Sequence, residues 1–184
     1  HLISREQGHG TMINTRFANL LARLNKTWEF TKIITANGKT CTLKPVNLLY
    51  RLPTNEECWQ LRIKENRQVI SIDRLFLADR QAVIHSNNVI PGDLVREPAT
   101  IEKATLSIVD FVDKYCGEKI SYGVTEISSS SAPWNVAAQL QISLQASVIR
   151  LQEMFFSKND QPLVIARSYV DTSKIKLQML RYLE

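Results

Sequence analysis

The chain has 184 residues, 44% of them hydrophobic, with 23 Lys and Arg against 18 Asp and Glu for a formal net charge of +5. That is enough chain for one large or two small domains with a real core, and the mild basic excess, spread without a dense run, describes a solvated surface as well as it describes a nucleic-acid partner. No apolar run approaches the roughly 18 residues of a spanning helix, no leader-like segment opens the chain, and the cysteines (Cys41, Cys58, Cys116) and histidines (His1, His9, His85) are too scattered for zinc, so a cytoplasmic protein with no membrane partner, metal or cofactor is expected.

In chain order, Ile3–Arg5 and Thr11–Ile13 read as strands around the turn Gln7-Gly8-His9-Gly10. Phe17, Leu20, Leu21 and Leu24 then fall on one face of a helix within 14–27, a stripe that suits a core or a dimer contact. Trp28–Asn37 is a predicted helix with Thr27 as N-cap and Gly38 as its stop. Thr40–Leu52 is a strand, with Pro45 pointing to an edge or bulge position. Thr54 followed three residues later by Glu57 has the form of a capping box and opens a helix to Arg62. Gln68–Leu77 and Ala82–Ile90 form a hairpin, and a Pro-bounded linker follows from Pro91 to Pro98. The same order then recurs: a helix over Leu106–Cys116 stopped by Gly117, a strand over Lys119–Ser129, a helix opened by Pro133 at its first position, and a hairpin of Ser147–Phe156 with Leu163–Val170. A last strand is expected over Ile175–Leu183.

The recurrence is a repeat. Residues Gln60–Leu77 and Gln139–Phe156 match at an offset of 79, with identities at Gln60, Leu61, Ile63, Val69, Ile70 and Phe76. Gly38 falls on Gly117, and Ala82-Val83-Ile84 meets Pro162-Leu163-Val164 after a one-residue insertion. A period of this length excludes a solenoid. Two copies of helix, strand, helix, strand, strand predict a pseudo-symmetric α+β fold with a mostly antiparallel sheet flanked by helices, and a ligand site at the seam.

Catalytic signatures are missing: the sequence holds no GxSxG, P-loop, GxGxxG or HExxH pattern. Cys116 stands at a helix end, where the dipole disfavours a thiolate, and Ser128–Ser131 reads as loop or cap. Binding features are stronger. Phe30 and Thr31 open the first helix, where free N–H groups suit an anion. Arg74 sits mid-strand on the face of Ile72 and Phe76, and needs either a salt bridge within the sheet or an acidic ligand. The second copy carries Glu153 at that position, so the two residues either pair or make the repeat asymmetric. Ser86 on the neighbouring strand either lines the same cleft as Arg74 or is a satisfied core serine. Tyr122 and Tyr169, from the second copy, are either pocket walls or plain packing.

These residues resemble the UTRA effector-binding domain of the GntR superfamily of bacterial transcription regulators, HutC-type branch, from about residue 28 to the end. Arg5-Glu6-Gln7-Gly8-His9-Gly10-Thr11-Met12 resembles the wing that closes a winged-helix DNA-binding domain, and Ile72–Asp79 and Asp160–Leu163 resemble the family's strand-turn segments. The resemblance implies residues 1–13 as a wing remnant and linker start, 14–27 as a linker helix and 28–184 as the effector domain. It also implies a chorismate-lyase-like fold, a homodimer, and a small anionic effector that modulates operator DNA binding by a winged helix preceding this chain, as part of a repressor and not an enzyme. The effector-binding positions implied are Phe30, Thr31, Arg74, Phe76, Ser86, Tyr122 and Tyr169. Phe76 stands where sugar-phosphate-binding members have a second arginine, and Ser86 where they have an acid, which favours a smaller or more apolar acid. A chorismate-lyase-like enzyme is the other reading.

Overall fold

In the computed structural model, residues 3–6, 10–13 and 29–178 are described; the expected linker helix at 14–27 and the chain beyond 178 lie outside them. Strands β1 (Ile3–Glu6) and β2 (Gly10–Ile13) form the expected antiparallel hairpin, with Ile3 opposite Ile13. The remaining elements are α1 (Phe30–Ala36), β3 (Cys41–Arg51), α2 (Asn55–Leu61), β4 (Val69–Ala78), β5 (Gln81–Pro91), α3 (Ile108–Phe111, extended by a wider turn over Val112–Cys116), β6 (Tyr122–Ser131), α4 (Trp134–Leu140), β7 (Ser147–Phe156) and β8 (Pro162–Val170).

Six strands form one antiparallel sheet in the order β3-β4-β5-β8-β7-β6. Each repeat contributes three neighbouring strands, and the copies join along β5 and β8. Asn87 pairs with Arg167 at the middle of that seam, flanked by Ser86 opposite Ser168 and Asn88 opposite Ala166. With the 80-residue offset on these strands, Asn87 and Arg167 are equivalent positions. A pseudo-two-fold axis therefore passes between them, and the predicted symmetry is a property of the fold.

Period-2 alternation splits each inner strand between two helical layers. On one face α1 packs Phe30, Ile33 and Ile34 onto Phe76, Ile84, Leu151 and Val170. On the same face α3 packs Phe111 and Val112 onto Ile70, Ile72, Ile90 and Val164. The opposite face carries α2, whose Leu61 meets Val69, Val89 and Ile165, and α4, whose Val136, Ala137 and Leu140 meet Leu75 and Val148. Full burial of a side chain such as Ile34, Ile84 or Leu151 stabilises the fold by about 1.5–3 kcal/mol each.

Local chemistry explains most boundaries. Thr54 accepts from the Glu57 N–H while the Glu57 carboxylate accepts from the Thr54 N–H, the capping box expected for α2. The β4–β5 turn places Asp79 and Arg80 at φ 49° and 72°, the twist that a two-residue hairpin requires. Pro45 lies on the edge strand beside a bulge, and both alternatives read from it hold. Gly38 and Gly117, at φ 73° and 65°, stop α1 and α3.

Four expectations shift. The N-cap position of α1 is Glu29, without a side-chain cap, instead of Thr27. Pro133 is the N-cap of α4 and not its first residue. Ser128–Ser131 stay in β6 opposite Arg150 to Ser147, because the β7 partner strand continues past them. Ile175–Gln178 is not a strand: the Asp171 carboxylate accepts from the Ser173 N–H and hydroxyl and pairs with Lys174, turning the chain so that Ile175 enters the core under α1.

Candidate functional site

Between α1 and α3, the inner sheet face is not filled by apolar side chains. The strip left open is polar, contributed by Arg74 on β4, Ser86 and Asn88 on β5, and Glu153 on β7. Above it lies a cavity of about 440 Å³, within the range of metabolite sites. Its apolar walls include Phe30, Leu43, Phe76, Phe155 and Ala166, and its rim includes Ser107 and Asp110 at the start of α3.

Arg74 is 1% exposed. Its Nη1 donates to Asn88 Oδ1 at 3.2 Å, and its guanidinium carbon lies 6.0 Å from the Phe111 ring centre. Nε and Nη2 find no acceptor among the described residues. Burial pushes the guanidinium down to about 10, which still leaves it protonated at neutral pH. A buried cation with two unused donors in a fixed fork is a receptor for a carboxylate or phosphate.

Glu153, its repeat equivalent, is 2% exposed. The Thr125 hydroxyl donates to its Oε1 at 3.0 Å. Burial pushes the carboxyl up to about 7, against the lowering effect of that hydrogen bond. Arg74 and Glu153 face one cavity without forming an ion pair, because the two central strands separate β4 from β7. Ser86 and Ser168 close the polar strip with a 2.9 Å hydroxyl-to-hydroxyl hydrogen bond.

The other charged clusters lie elsewhere. Burial pushes the Glu57 carboxyl up, but hydrogen bonds from Arg51, the Thr54 N–H and Arg167 outweigh it and hold the group at about 2; it ties α2 to the sheet. His85 Nε2 lies 3.6 Å from Asp73 Oδ1, with the alternating residues of β4 and β5 that face away from the cavity. Among the described residues no cluster of His, Cys, Asp and Glu is arranged to hold a metal, and no helix is long and apolar enough to cross a membrane.

Residues 36–176 match the sequence pattern of the UTRA domain. The chain belongs to the UTRA domain family. No curated protein matches the sequence. Solved structures with this UTRA fold include a GntR-family transcriptional regulator from Enterococcus faecalis, at 19% identity and TM-score 0.69, covering 76% of this chain and all of that one. YydK from Bacillus subtilis aligns at 15% identity and TM-score 0.76, over 98% of this chain and 76% of its own. PhnF from Mycobacterium smegmatis aligns at 14% and 0.75, over all of this chain and 79% of its own.

Five of the seven expected site residues come together: Phe30, Thr31, Arg74, Phe76 and Ser86 line the cavity. Phe30 and Phe76 meet edge to face at 5.1 Å. Two expected residues are elsewhere. Tyr122 lies on the outer strand β6, 43% exposed, stacked on Phe156 and donating to Asp160 Oδ1 at 2.7 Å. Tyr169 packs with the α4 cluster on the opposite face; alternation sends it there because its neighbour Ser168 bonds Ser86. Asn88, Phe155 and the α3 rim were not anticipated. Asn88 was within reach of alternation, being two residues from Ser86 on the same strand.

Proposed function

We propose that this domain is the ligand-sensing part of a bacterial transcription regulator of the GntR superfamily, HutC-type branch, and that a small anionic metabolite binds in the cavity at Arg74. The observation that carries the reading is the fully buried guanidinium with two unused nitrogen donors at the cavity wall. Asn88 orients it, Ser86 adds a hydroxyl, and Phe30 and Phe76 enclose the carbon body of the ligand. Thr31 borders the same space. In this reading residues 1–13 are the end of a winged helix, 14–27 a linker, and 28–184 the sensor, working as a cytoplasmic homodimer that shifts operator affinity. The antiparallel β1–β2 hairpin supports the wing, and the 81% and 77% exposed rings of Trp59 and Trp134 are surface of the kind that a two-fold contact covers.

A thermal-shift screen with small organic acids, amino-acid breakdown products and sugar phosphates tests the site. An acid present at a hundred times its Kd stabilises the chain by about 2.7 kcal/mol, and Arg74→Met abolishes the shift. Absence of any Arg74-dependent shift sinks the anion site. For the regulatory role, the acid must change operator affinity of the regulator with its winged helix attached. Turnover of chorismate by this chain would instead establish the enzyme reading.

A further inference from the structure

We propose that the ligand is bipolar: besides the acid group received by Arg74, it carries a protonated nitrogen received by Glu153. The inference rests on the effector reading above and specifies the ligand class. Its basis is the placement of two opposite charges at equivalent positions of the repeat, facing one cavity and not each other.

A buried carboxyl is costly unless something satisfies it. Glu153 has one neutral donor, the Thr125 hydroxyl, on Oε1. No basic side chain among the described residues lies within ion-pair distance of it, although Arg74 lines the same cavity. Both charged groups are at least 98% buried, so bulk water does not screen them. The two residues lie on strands three spacings apart, about 14 Å between backbones. Each side chain reaches part of that distance, and a molecule of a few carbons spans the remainder. Phe76 and Phe155, themselves repeat equivalents, wall the space, with Ala166 between. The cavity thus offers a cation, an apolar middle and an acid. The complementary solute is a small zwitterion with its acid and its ammonium, or another protonated nitrogen, at opposite ends. A cation at Glu153 favours the ionised carboxylate. With that carboxyl raised to about 7 by burial, binding at pH 7 releases about half a proton per site.

The test uses matched probes: linear ω-amino acids of three to six carbons, the monocarboxylic acids of the same lengths, and the dicarboxylic acids. Thermal shift and titration calorimetry at pH 7 are run on the wild-type chain, on Arg74→Met and on Glu153→Gln. The expected result is at least tenfold tighter binding of an ω-amino acid than of its monocarboxylic partner, with the preference lost in Glu153→Gln. In wild type, the heat of binding depends on the buffer's ionisation enthalpy in the sense of proton release. This last arm needs no variant, so a misfolded Glu153→Gln leaves the idea open to refutation. Arg74-dependent binding of monocarboxylic or dicarboxylic acids at equal or higher affinity, without proton release, overturns the bipolar ligand and leaves the anion site standing. No Arg74-dependent binding of any acid overturns both.

Discussion

Replacing Glu153 by Gln isolates what its burial costs. The side chain keeps its shape, and its amide oxygen still accepts from the Thr125 hydroxyl. What disappears is the ionisable proton. Burial holds the folded carboxyl at about 7, against 4.5 for the exposed group. The sign follows from which state holds the proton more tightly. Below pH 4.5 both states are protonated and the stabilising contribution of the bound proton is fully present. As pH rises through 7 that contribution is lost, because the unfolded chain ionises freely while the folded one is forced to. The full shift is worth about 3 kcal/mol, and most of it falls in the interval from pH 5 to pH 8. The Gln variant escapes this loss. Urea denaturation of both proteins at pH 5, 6, 7 and 8 is therefore expected to show the variant gaining on wild type by about 2–3 kcal/mol across the series, or a Tm gap widening by about 5–10 °C for a chain of this size. A difference that stays flat from pH 5 to 8 would refute the buried, unpaired state of Glu153, and a difference that narrows would require a cation beside it.

Arg74→Met removes a buried cation with two unused donors, so the variant is expected to match wild-type stability or exceed it by about 1–2 kcal/mol in urea while losing the acid-induced thermal shift; destabilisation beyond about 3 kcal/mol would reveal a protein partner. Glu57→Gln breaks the contacts to Arg51 and Arg167 and is expected to cost about 2–3 kcal/mol at pH 7. Because the folded Glu57 carboxyl is depressed to about 2, its contribution is present above about pH 4.5 and is lost as pH falls through 2, so acid titration of stability should show the two proteins converging. Arg80→Gly, at φ 72°, relieves a left-handed residue in the β4–β5 turn and is expected to stabilise by about 0.5–1 kcal/mol, read as a rise in the urea midpoint with unchanged slope.

Features governed by neighbouring residues were legible in the sequence. Thr54 and Glu57 announce α2 because a capping box is complete within four residues. Period-2 patterning placed Arg74 and Ser86 on one face, and the internal repeat gave the symmetry of the sheet. What escaped depends on contacts distant in sequence. The β5–β8 seam pairs strands whose residues lie 80 apart and carries no local turn signal. The facing of Tyr169 is set by that seam and not by the pattern of β8 itself, which is why the expected place in the pocket does not hold. The rim residues Ser107 and Asp110 follow an irregular stretch after β5, where periodicity has nothing to report. Glu153 was visible as the counterpart of Arg74, yet whether the two pair depends on the number of strands between them.

That spacing is what a duplicated sheet supplies. A two-fold arrangement places equivalent side chains at equal distances from the axis, so β4 and β7 present matching positions on either side of the Asn87–Arg167 pair. Identical charges there would suit a symmetric ligand in either orientation. Opposite charges fix one orientation, and the flanking differences, Ser86 against Ala166 and Asn88 against Ser168, reinforce it. On the proposed effector role, two helices border the cavity. Phe30 of α1 meets Phe76 edge to face at the cavity wall, and α1 directly follows the 14–27 segment assigned as linker. Phe111 of α3 lies against Arg74. A ligand held at Arg74 thus bears on α1 through the aromatic pair and on α3 through the guanidinium. Arg74 and Phe76 sit two residues apart on one face of β4, and Glu153 on β7 adds a second hold across the seam. Regulation of this kind needs about 1–3 kcal/mol of coupling, so an acid bound at Arg74 is expected to change operator affinity of the regulator with its winged helix attached by about 5–150-fold, and occupancy without any such change would refute the coupling.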